Sequence, residues 1–289
     1  MYPPRFEYSA PGTIEEALAT LAKVGDEGRV LAGGQSLIPM MKLRLASPAH
    51  LVDINRLADL AYLRRENGYL AVGALARHAD VAAFADLAAA SQAMAAAAPW
   101  IADPLVRNRG TLCGSVAHCD PEGDWNSVML ATKATVVAVS SAGERSIPID
   151  DFVVDFFTNS LRPGEMVKEV QVPVPSGASG GSYLKLERKI GDYATVGVAT
   201  QLEFGADGTI TKAGIGLTSV GNRNLRATEA EAALVGQQPS EDLFDHAGEL
   251  AARAADPASD VRGPAEFKRA VVKEYTKRGL REAAKGRPS

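Results

Sequence analysis

The stretch 13–54 constrains the fold of this chain more than any other, because helix and strand patterns alternate within it. Thr13 and Glu16 have the spacing of a capping box, and apolar residues then recur at helical intervals. A short buried strand at 29–31 runs directly into a glycine-bearing turn at 32–36 (AGGQS). The remaining elements of the pattern are a short helix at 37–45 and a second strand at 51–54. This alternation predicts an α/β unit.

Composition excludes several classes of protein. The chain has 289 residues, which corresponds to roughly two domains. Its 46% hydrophobic and 23% charged residues are typical of a globular protein and exclude wholesale disorder. A net charge of −4 excludes a globally basic nucleic-acid binder, so no nucleic-acid partner is expected. The 2 cysteines are too few for a disulfide scaffold or for a four-cysteine iron–sulfur or zinc site.

The middle of the chain predicts a second set of elements. The dipeptide Asn67-Gly68 separates two strand patterns and is typical of a hairpin. The elements that follow are an alanine-rich helix or helix pair at 79–98, an irregular segment at 99–109, a helix at 124–130, and strands at 134–139 and 166–172. No segment is apolar enough over about 20 residues to span a membrane. The N-terminal residues have no apolar signal-peptide core, so we expect a cytoplasmic protein with reduced cysteines.

The composition and the order of predicted elements change near residue 178, which predicts a domain boundary. Residues 176–181 (SGASGG) have the composition of a flexible linker. Beyond them the patterns predict three strands followed by three helices, an order that favours an α+β domain. The strands are expected at 182–188, 195–204 and 210–217, and the helices at 227–235, 241–254 and 264–284.

The last predicted helix carries an apolar stripe at Phe267, Val271 and Tyr275 and many basic residues. An amphipathic helix docked on the domain, with a solvated basic face, explains this pattern. A partner-docking surface is the alternative.

The turn at 32–36 is the first candidate ligand site. Glycines allow positive φ and close approach, so backbone N–H groups can converge there on a phosphate. A tight strand-to-helix turn without a ligand is the alternative. The chain has no P-loop motif, and the stretch 214–219 (GIGLTS) departs from a Rossmann motif at its last position, so we interpret it as a strand.

A second glycine-bearing turn follows at 107–115 (RNRGTLCGS), with hydroxyl groups at Thr111 and Ser115. The alternative is an ordinary polar loop whose arginines pair with Asp103 or Asp120. Two such turns from different elements favour a long anionic ligand such as a dinucleotide.

Other polar residues give no strong catalytic signal. Cys113, His118 and Cys119 match no zinc-ligand spacing and lack a fourth ligand, so no metal site is expected. His50 and His78 lie beside predicted turns and are expected at the surface or at helix caps. No nucleophile elbow or paired-carboxylate site is present, so we expect no catalytic residue.

Three motifs together resemble one family. Residues 32–39 (AGGQSLIP), residues 107–118 (RNRGTLCGSVAH) followed by Asp120, Pro121 and Asp124, and residues 191–194 (GDYA) are similar to the medium, FAD-binding subunit of molybdenum hydroxylases. That family includes carbon monoxide dehydrogenase and the xanthine dehydrogenases, and the likeness covers nearly the whole chain.

The resemblance implies an α+β protein with two α/β FAD-binding subdomains of the vanillyl-alcohol-oxidase type and a C-terminal α+β domain of antiparallel strands and helices. We expect the FAD-binding domain at 1–177, with subdomains at about 1–57 and 58–177, and the C-terminal domain at 178–289.

The resemblance also implies the cofactor-binding residues. The pyrophosphate and neighbouring groups of FAD would be held by Ala32, Gly33, Gly34, Gln35, Ser36, Leu37, Thr111, Leu112, Cys113, Gly114 and Ser115. Asp124 is similar to an acidic FAD contact, Ile101 and Leu161 match apolar positions near the flavin ring, and Lys185 and Tyr193 would lie close to that ring. Core or solvated roles are the alternatives for Ile101, Leu161 and Lys185.

Two of these positions depart from the family pattern. Gln35 replaces a histidine that many relatives have. Cys113 replaces a glycine, and we expect backbone strain there if the position requires positive φ.

The implied function is electron transfer through non-covalently bound FAD. A large subunit would hold the molybdenum cofactor and a small subunit two [2Fe–2S] clusters, assembled as a dimer of heterotrimers. NAD, a quinone or oxygen would accept the electrons. A stand-alone flavin oxidase with its own substrate, and a binding or assembly protein that has lost FAD, are the alternatives.

Overall fold

The computed structural model describes residues 2–288, which form three β-sheets, a small hairpin and surrounding helices. The strands are β1 (Glu7–Ser9), β2 (Gly28–Leu31), β3 (His50–Asp53), β4 (Leu63–Glu66), β5 (Tyr69–Gly73), β6 (Thr135–Ser140), β7 (Gly143–Pro148), β8 (Val153–Asp155), β9 (Thr158–Asn159), β10 (Met166–Pro173), β11 (Ser179–Leu186), β12 (Val196–Phe204), β13 (Ile210–Thr218) and β14 (Leu225–Arg226). The helices are α1 (Ile14–Val24), α2 (Leu37–Lys42), α3 (His78–Ala83), α4 (Leu87–Ala90), α5 (Gln92–Ala97), α6 (Pro104–Arg107), α7 (Leu112–His118), α8 (Asp124–Thr132), α9 (Ile149–Phe152), α10 (Thr228–Leu234), α11 (Glu241–Ala254) and α12 (Ala265–Ala283).

The first sheet is parallel, in the order β1-β3-β2. The predicted α/β unit is present, and Thr13 caps α1 by accepting a hydrogen bond from the Glu16 N–H at 3.2 Å. Leu18 and Leu21 of α1 are buried in one core cluster with Val52 of β3. The short strand β1 was not predicted, because its residues carry no buried apolar pattern.

The second sheet is antiparallel, in the order β4-β5-β10-β6-β7. The hairpin predicted at Asn67-Gly68 joins β4 to β5, with positive φ at both residues. The segment predicted as one helix or a pair forms α3, α4 and α5, and the segment predicted as irregular contains the single turn α6.

Helix α8 is buried along its whole length, between the second sheet and β12–β13. A Cβ atom at Gly214 would lie 1.8 Å from the Ala131 carbonyl oxygen, and one at Gly216 would lie 1.9 Å from that of Ser127. The two glycines of the GIG stretch therefore allow helix and strand backbones to touch. The interpretation of this stretch as a strand is confirmed.

The third sheet is antiparallel, in the order β11-β12-β13-β14, with α10 and α12 against it and α11 packed on these two helices. The predicted linker is shorter than expected, because residues 179–181 already belong to β11. A Cβ atom at Gly180 would lie 1.9 Å from the Ala283 carbonyl oxygen, and one at Gly181 would lie 2.6 Å from the Ala93 nitrogen. These glycines allow close packing. In the sequence, a glycine-rich stretch needed for close packing looks the same as a flexible linker.

The buried face of α12 is not the predicted stripe. Val272, Leu280 and Ala283 are buried, whereas Phe267 is exposed and Val271 and Tyr275 are only partly covered. Three basic residues of α12 pair with acidic residues of α11, and the pairs are Lys273–Asp245, Lys273–Glu249, Lys277–Asp245 and Arg281–Glu241. These pairs support the docked-helix interpretation over a partner-docking surface. Among residues 2–288, none of the helices has the length and apolar character needed to cross a membrane.

Candidate functional site

A cleft of about 1240 Å³ brings together the loops of the first sheet, the start of α7, the segments 101–103 and 157–167, and part of the C-terminal region. Of the residues predicted from the sequence, only Leu112 does not line it, because its side chain is fully buried in the core. The predicted residues that do line the cleft are Ala32, Gly33, Gly34, Gln35, Ser36, Leu37, Ile101, Thr111, Cys113, Gly114, Ser115, Asp124, Leu161, Lys185 and Tyr193.

The first glycine turn requires its two glycines for different reasons. Gly34 has φ +72°, which only glycine adopts without strain. Gly33 does not have positive φ, but a Cβ atom there would lie 2.4 Å from the Arg109 carbonyl oxygen and 2.6 Å from Gly110 Cα. Gly33 therefore lets the first turn lie directly against the second segment.

The second segment is not the turn that its glycines predict. Residues 112–118 form α7, and the hydroxyl of Thr111 caps it by accepting from the Gly114 N–H at 3.1 Å. Cys113 lies within the helix and not at positive φ, so the condition under which backbone strain was expected is not met. Its thiol donates to the Val72 carbonyl oxygen at 3.2 Å, and burial raises its pKa.

The arginines before α7 do not pair with the acidic residues expected from the sequence. Arg107 donates instead to the carbonyl oxygens of Ile101 and Ala102, at 3.0 and 2.9 Å. Ala102 has φ +45°, so this guanidinium holds an unusual backbone conformation at the edge of the cleft.

Asp124 and Lys185 form a buried pair where α8 meets the C-terminal region. The Lys185 ammonium donates to Asp124 Oδ2 at 3.0 Å and to the Trp100 carbonyl oxygen at 3.1 Å. The hydroxyl of Tyr183 donates to Asp124 Oδ1. Burial raises the pKa of the Asp124 carboxyl, and the Lys185 ammonium opposes that shift. With 1% of its side chain exposed, Lys185 is not a solvated strand residue.

The apolar positions predicted near the flavin lie at the cleft wall. Ile101 is buried and Leu161 is half-buried against the same core. Tyr193 is 48% exposed and lies on a loop that Arg262 holds. Arg262 donates to the Ala194 carbonyl oxygen at 3.2 Å and to Glu122 at 2.6 Å.

Several cleft residues were missed from the sequence. His118 lines the cleft and its ring lies 4.8 Å from that of Phe157, while Asn159 donates to the Ala117 carbonyl oxygen at 2.6 Å. Phe157 and Asn159 belong to the short hairpin β8–β9, which has no strong sequence pattern of its own. His78 was expected at the surface or at a helix cap. It is the first residue of α3, next to the cap residue Arg77, but it is buried there, and its Nδ1 accepts from Trp125 Nε1 at 3.1 Å.

His78 makes the stability of the fold depend on pH. Burial, helped by Arg107 and Arg77, lowers its pKa from 6.5 to about 4. The unfolded chain therefore takes up the proton first as pH falls, so stability is lost between pH 6.5 and 4. We expect this group to lower the free energy of unfolding by about 3 kcal/mol over that range.

Urea unfolding at several pH values, on the wild type and on His78→Gln, measures this effect. A glutamine amide oxygen can still accept from Trp125 but does not titrate, so the variant should lose less stability on acidification. Equal acid losses in both proteins would exclude His78 as the source.

The residues of the cleft fit FAD. The volume exceeds the roughly 300–1,000 Å³ typical of pockets for drug-sized ligands, as an extended dinucleotide requires. Small residues and hydroxyl groups at 32–36 and 111–115 leave room for a pyrophosphate, and Ile101 and Leu161 offer apolar surface to a ring system.

Comparison with known families matches the two parts of the chain separately. Residues 4–175 match the FAD binding domain in molybdopterin dehydrogenase, and residues 181–283 match the CO dehydrogenase flavoprotein C-terminal domain.

Individual relatives cover the whole chain. The carbon monoxide dehydrogenase medium chain of Hydrogenophaga pseudoflava is 38% identical over 98% of each chain. The 6-hydroxypseudooxynicotine dehydrogenase complex subunit alpha of Paenarthrobacter nicotinovorans is 37% identical over 98% of this chain and 96% of its own. A solved structure of carbon monoxide dehydrogenase from H. pseudoflava, lacking the Mo-pyranopterin moiety, superposes with a TM-score of 0.95 at 40% identity over 100% of both chains.

These matches confirm the resemblance found in the sequence motifs and the fold class that it implies. The chain belongs to the FAD-binding, medium-subunit family of the molybdenum-containing dehydrogenases.

Proposed function

We propose that this chain is the FAD-binding electron-transfer subunit of a molybdenum hydroxylase complex and relays electrons from [2Fe–2S] clusters in a partner to an external acceptor. The observation that carries this proposal is the single cleft shared by the two glycine-bearing segments and by residues of the C-terminal region. Bound FAD would supply the redox chemistry, and the protein would supply binding, orientation and electrostatics.

The cleft residues have distinct proposed roles. The backbone at 32–36 and the segment 111–115 bind the pyrophosphate, and Ile101 and Leu161 contact the ring system. Asp124 binds a polar group of the cofactor while Lys185 and Tyr183 fix its orientation. Tyr193, on its half-exposed loop, limits access of water to the ring.

The buried titratable groups of the cleft support a relay role. Asp124 is held by Lys185 and Tyr183, and His78 is kept neutral by burial and accepts from Trp125. Groups fixed in this way shape the field around a cofactor. General acid–base catalysis instead needs a group within reach of a reacting proton and with a pKa near the working pH.

The names of the relatives support the proposed partners. The relatives are named as a medium chain and as a complex subunit. We therefore propose a molybdenum-cofactor large subunit and a [2Fe–2S] small subunit as partners, in a dimer of heterotrimers, with NAD, a quinone or oxygen as acceptor. The substrate would be set by the large subunit. The cytoplasmic location stays a prediction.

We also propose the domain limits 1–177 and 178–289, with FAD-binding subdomains at about 1–57 and 58–177. The limits of the two family matches support the main boundary. The separate parallel and antiparallel sheets, at 7–53 and 63–173, support the subdomains.

The proposal predicts yellow protein whose FAD is not covalently attached. Gln35 replaces the histidine that would be the obvious attachment point in the first turn, and burial raises the pKa of the Cys113 thiol, which leaves it unreactive. Acid or heat denaturation should release free FAD, identified by absorbance and mass spectrometry of the supernatant. Yellow colour that stays with the precipitate would contradict non-covalent binding, and a colourless purified protein would favour a chain that has lost FAD.

A further inference from the structure

Asn55 and Arg77 do not line the cleft, yet they lie between its two glycine-bearing segments. The Asn55 amide nitrogen donates to the Ala32 carbonyl oxygen at 2.8 Å and to Asp53 Oδ1 at 2.6 Å. Its amide oxygen accepts from Arg77 Nη2 at 2.6 Å. Each polar atom of the Asn55 side chain therefore has a partner, which fixes its orientation.

Arg77 connects this amide to the second segment. Its other terminal nitrogen, Nη1, donates to the Arg109 carbonyl oxygen at 2.5 Å. That carbonyl is the group against which Gly33 packs. The chain of bonds therefore runs from Ala32 through Asn55 and Arg77 to Arg109, and joins the backbones of the two segments beside their point of contact.

The backbone around Arg77 strengthens the connection. Arg77 and Thr111 pair as an isolated antiparallel bridge. The adjacent His78 N–H donates to the Gly110 carbonyl oxygen at 2.9 Å. Arg77 is half-buried and its bond to Asn55 is partly buried, so that bond competes less with water than one made by a surface arginine.

We propose that Asn55 and Arg77 are positioning residues for FAD, which together form a brace that sets the separation of the two pyrophosphate-binding segments. This inference rests on the proposed function, because the separation matters to the cofactor only if both segments hold it. Loss of the brace should weaken FAD binding while leaving the sheets and their cores intact.

The variant Asn55→Asp distinguishes a brace, which depends on the hydrogen bonds of Asn55, from a side chain that only fills space. The substitution keeps the shape and the acceptor for Arg77 but replaces the donating amide with a second oxygen, which faces the Ala32 carbonyl and the Asp53 carboxylate. We expect FAD to bind about 100-fold more weakly to Asn55→Asp and about 10-fold more weakly to Asn55→Ala. A packing role predicts the opposite order, with the isosteric Asp variant close to wild type.

Arg77→Gln provides the second arm, because glutamine is too short to join Asn55 to Arg109. We expect the FAD Kd of Arg77→Gln to be about 10-fold higher than that of the wild type. In the double variant with Asn55→Ala, the increase in Kd should be smaller than the product of the two single increases. Arg77→Lys, which keeps a single donor nitrogen, should recover part of the affinity. Asn222→Asp and Arg65→Gln are matched exposed controls and should bind FAD as wild type does.

The measurement is titration of the flavin-stripped full chain with FAD, followed by flavin fluorescence, with circular dichroism and melting temperature of each apo variant as a folding check. Kd values of Asn55→Asp and Arg77→Gln within twofold of wild type would overturn the brace. A wild-type chain that binds no FAD would overturn the proposed function instead. If Asn55→Asp does not fold, the double variant of Asn55→Ala and Arg77→Gln still tests the brace. Two independent single effects on the FAD Kd would overturn it.

Discussion

Gly33→Val should abolish retention of FAD while leaving a folded chain. Any Cβ atom at this position would lie 2.4 Å from the Arg109 carbonyl oxygen and 2.6 Å from Gly110 Cα, and backbone atoms cannot move aside as a side chain can. The two segments must therefore separate. We expect a loss of about 3 kcal/mol in FAD binding, which corresponds to an about 100-fold higher Kd.

The absorbance ratio of the purified variant, with circular dichroism to check folding, measures this loss. Gly177→Ala is the matched control, because a Cβ atom there meets open space, and it should keep full flavin occupancy. Gly114→Val should also lose flavin, but less, because the nearest atom to a Cβ there is the Thr111 hydroxyl at 2.7 Å, which can rotate away at the expense of the helix cap. Full occupancy in Gly33→Val would contradict the loop assignment.

Lys185→Met should strongly destabilise the fold. It would leave the Asp124 carboxylate buried with only Tyr183 as a donor. Removing one partner of a buried ion pair typically costs about 3–5 kcal/mol, because the remaining charge stays desolvated.

Urea unfolding of the flavin-free chain tests this prediction. Lys212→Met removes an exposed partner of Glu203 and should change the free energy of unfolding by less than about 1 kcal/mol. Combining Lys185→Met with Asp124→Asn should restore part of the lost stability, since the buried Asp124 charge is then removed. The Glu187 carboxylate, which lies 3.6 Å from the Lys185 ammonium, still loses its partner in the double variant. A cost for Lys185→Met as small as that for Lys212→Met would show that the pair is not held as the structure has it.

Sequence patterns predicted the elements whose periodicity is long and regular. The helices α11 and α12 and the strands β11 to β13 were expected within a few residues of their observed limits. The two helices bury apolar residues at helical spacing, and β12 and β13 are long runs that are buried along most of their length. The strands β1, β8, β9 and β14 were not predicted, since two or three residues carry no periodicity.

Glycine was the main source of error, because its sequence signal does not distinguish flexibility, positive φ and close packing. Gly34 has the positive φ expected of a turn. Gly114, in α7, and Gly181, in β11, occupy regular structure where small size is needed. The role of Gly33 depends on Arg109, far away in the sequence, and only the folded structure reveals it.

The candidate site was predicted mainly through resemblance. The glycine and hydroxyl residues by themselves predicted two anion-binding turns and a dinucleotide ligand. The family resemblance was needed to predict roles for Asp124, Ile101, Leu161, Lys185 and Tyr193. The brace residues and the buried His78 had no signal in the sequence, because an isolated Asn, Arg or His has the same appearance whether it is solvated or bonded across the fold.

The most direct test of the electron-relay account is anaerobic mixing of the isolated chain, and separately of the complex with its molybdenum and iron–sulfur subunits, with candidate substrates. The candidate substrates are a purine, a nicotine-like heterocycle, an aldehyde and carbon monoxide. Loss of flavin absorbance reports reduction of the flavin. The account predicts that no substrate bleaches the isolated chain and that one of them bleaches the flavin in the complex. Rapid bleaching of the isolated chain by any of them would contradict it and would identify a stand-alone flavin oxidase.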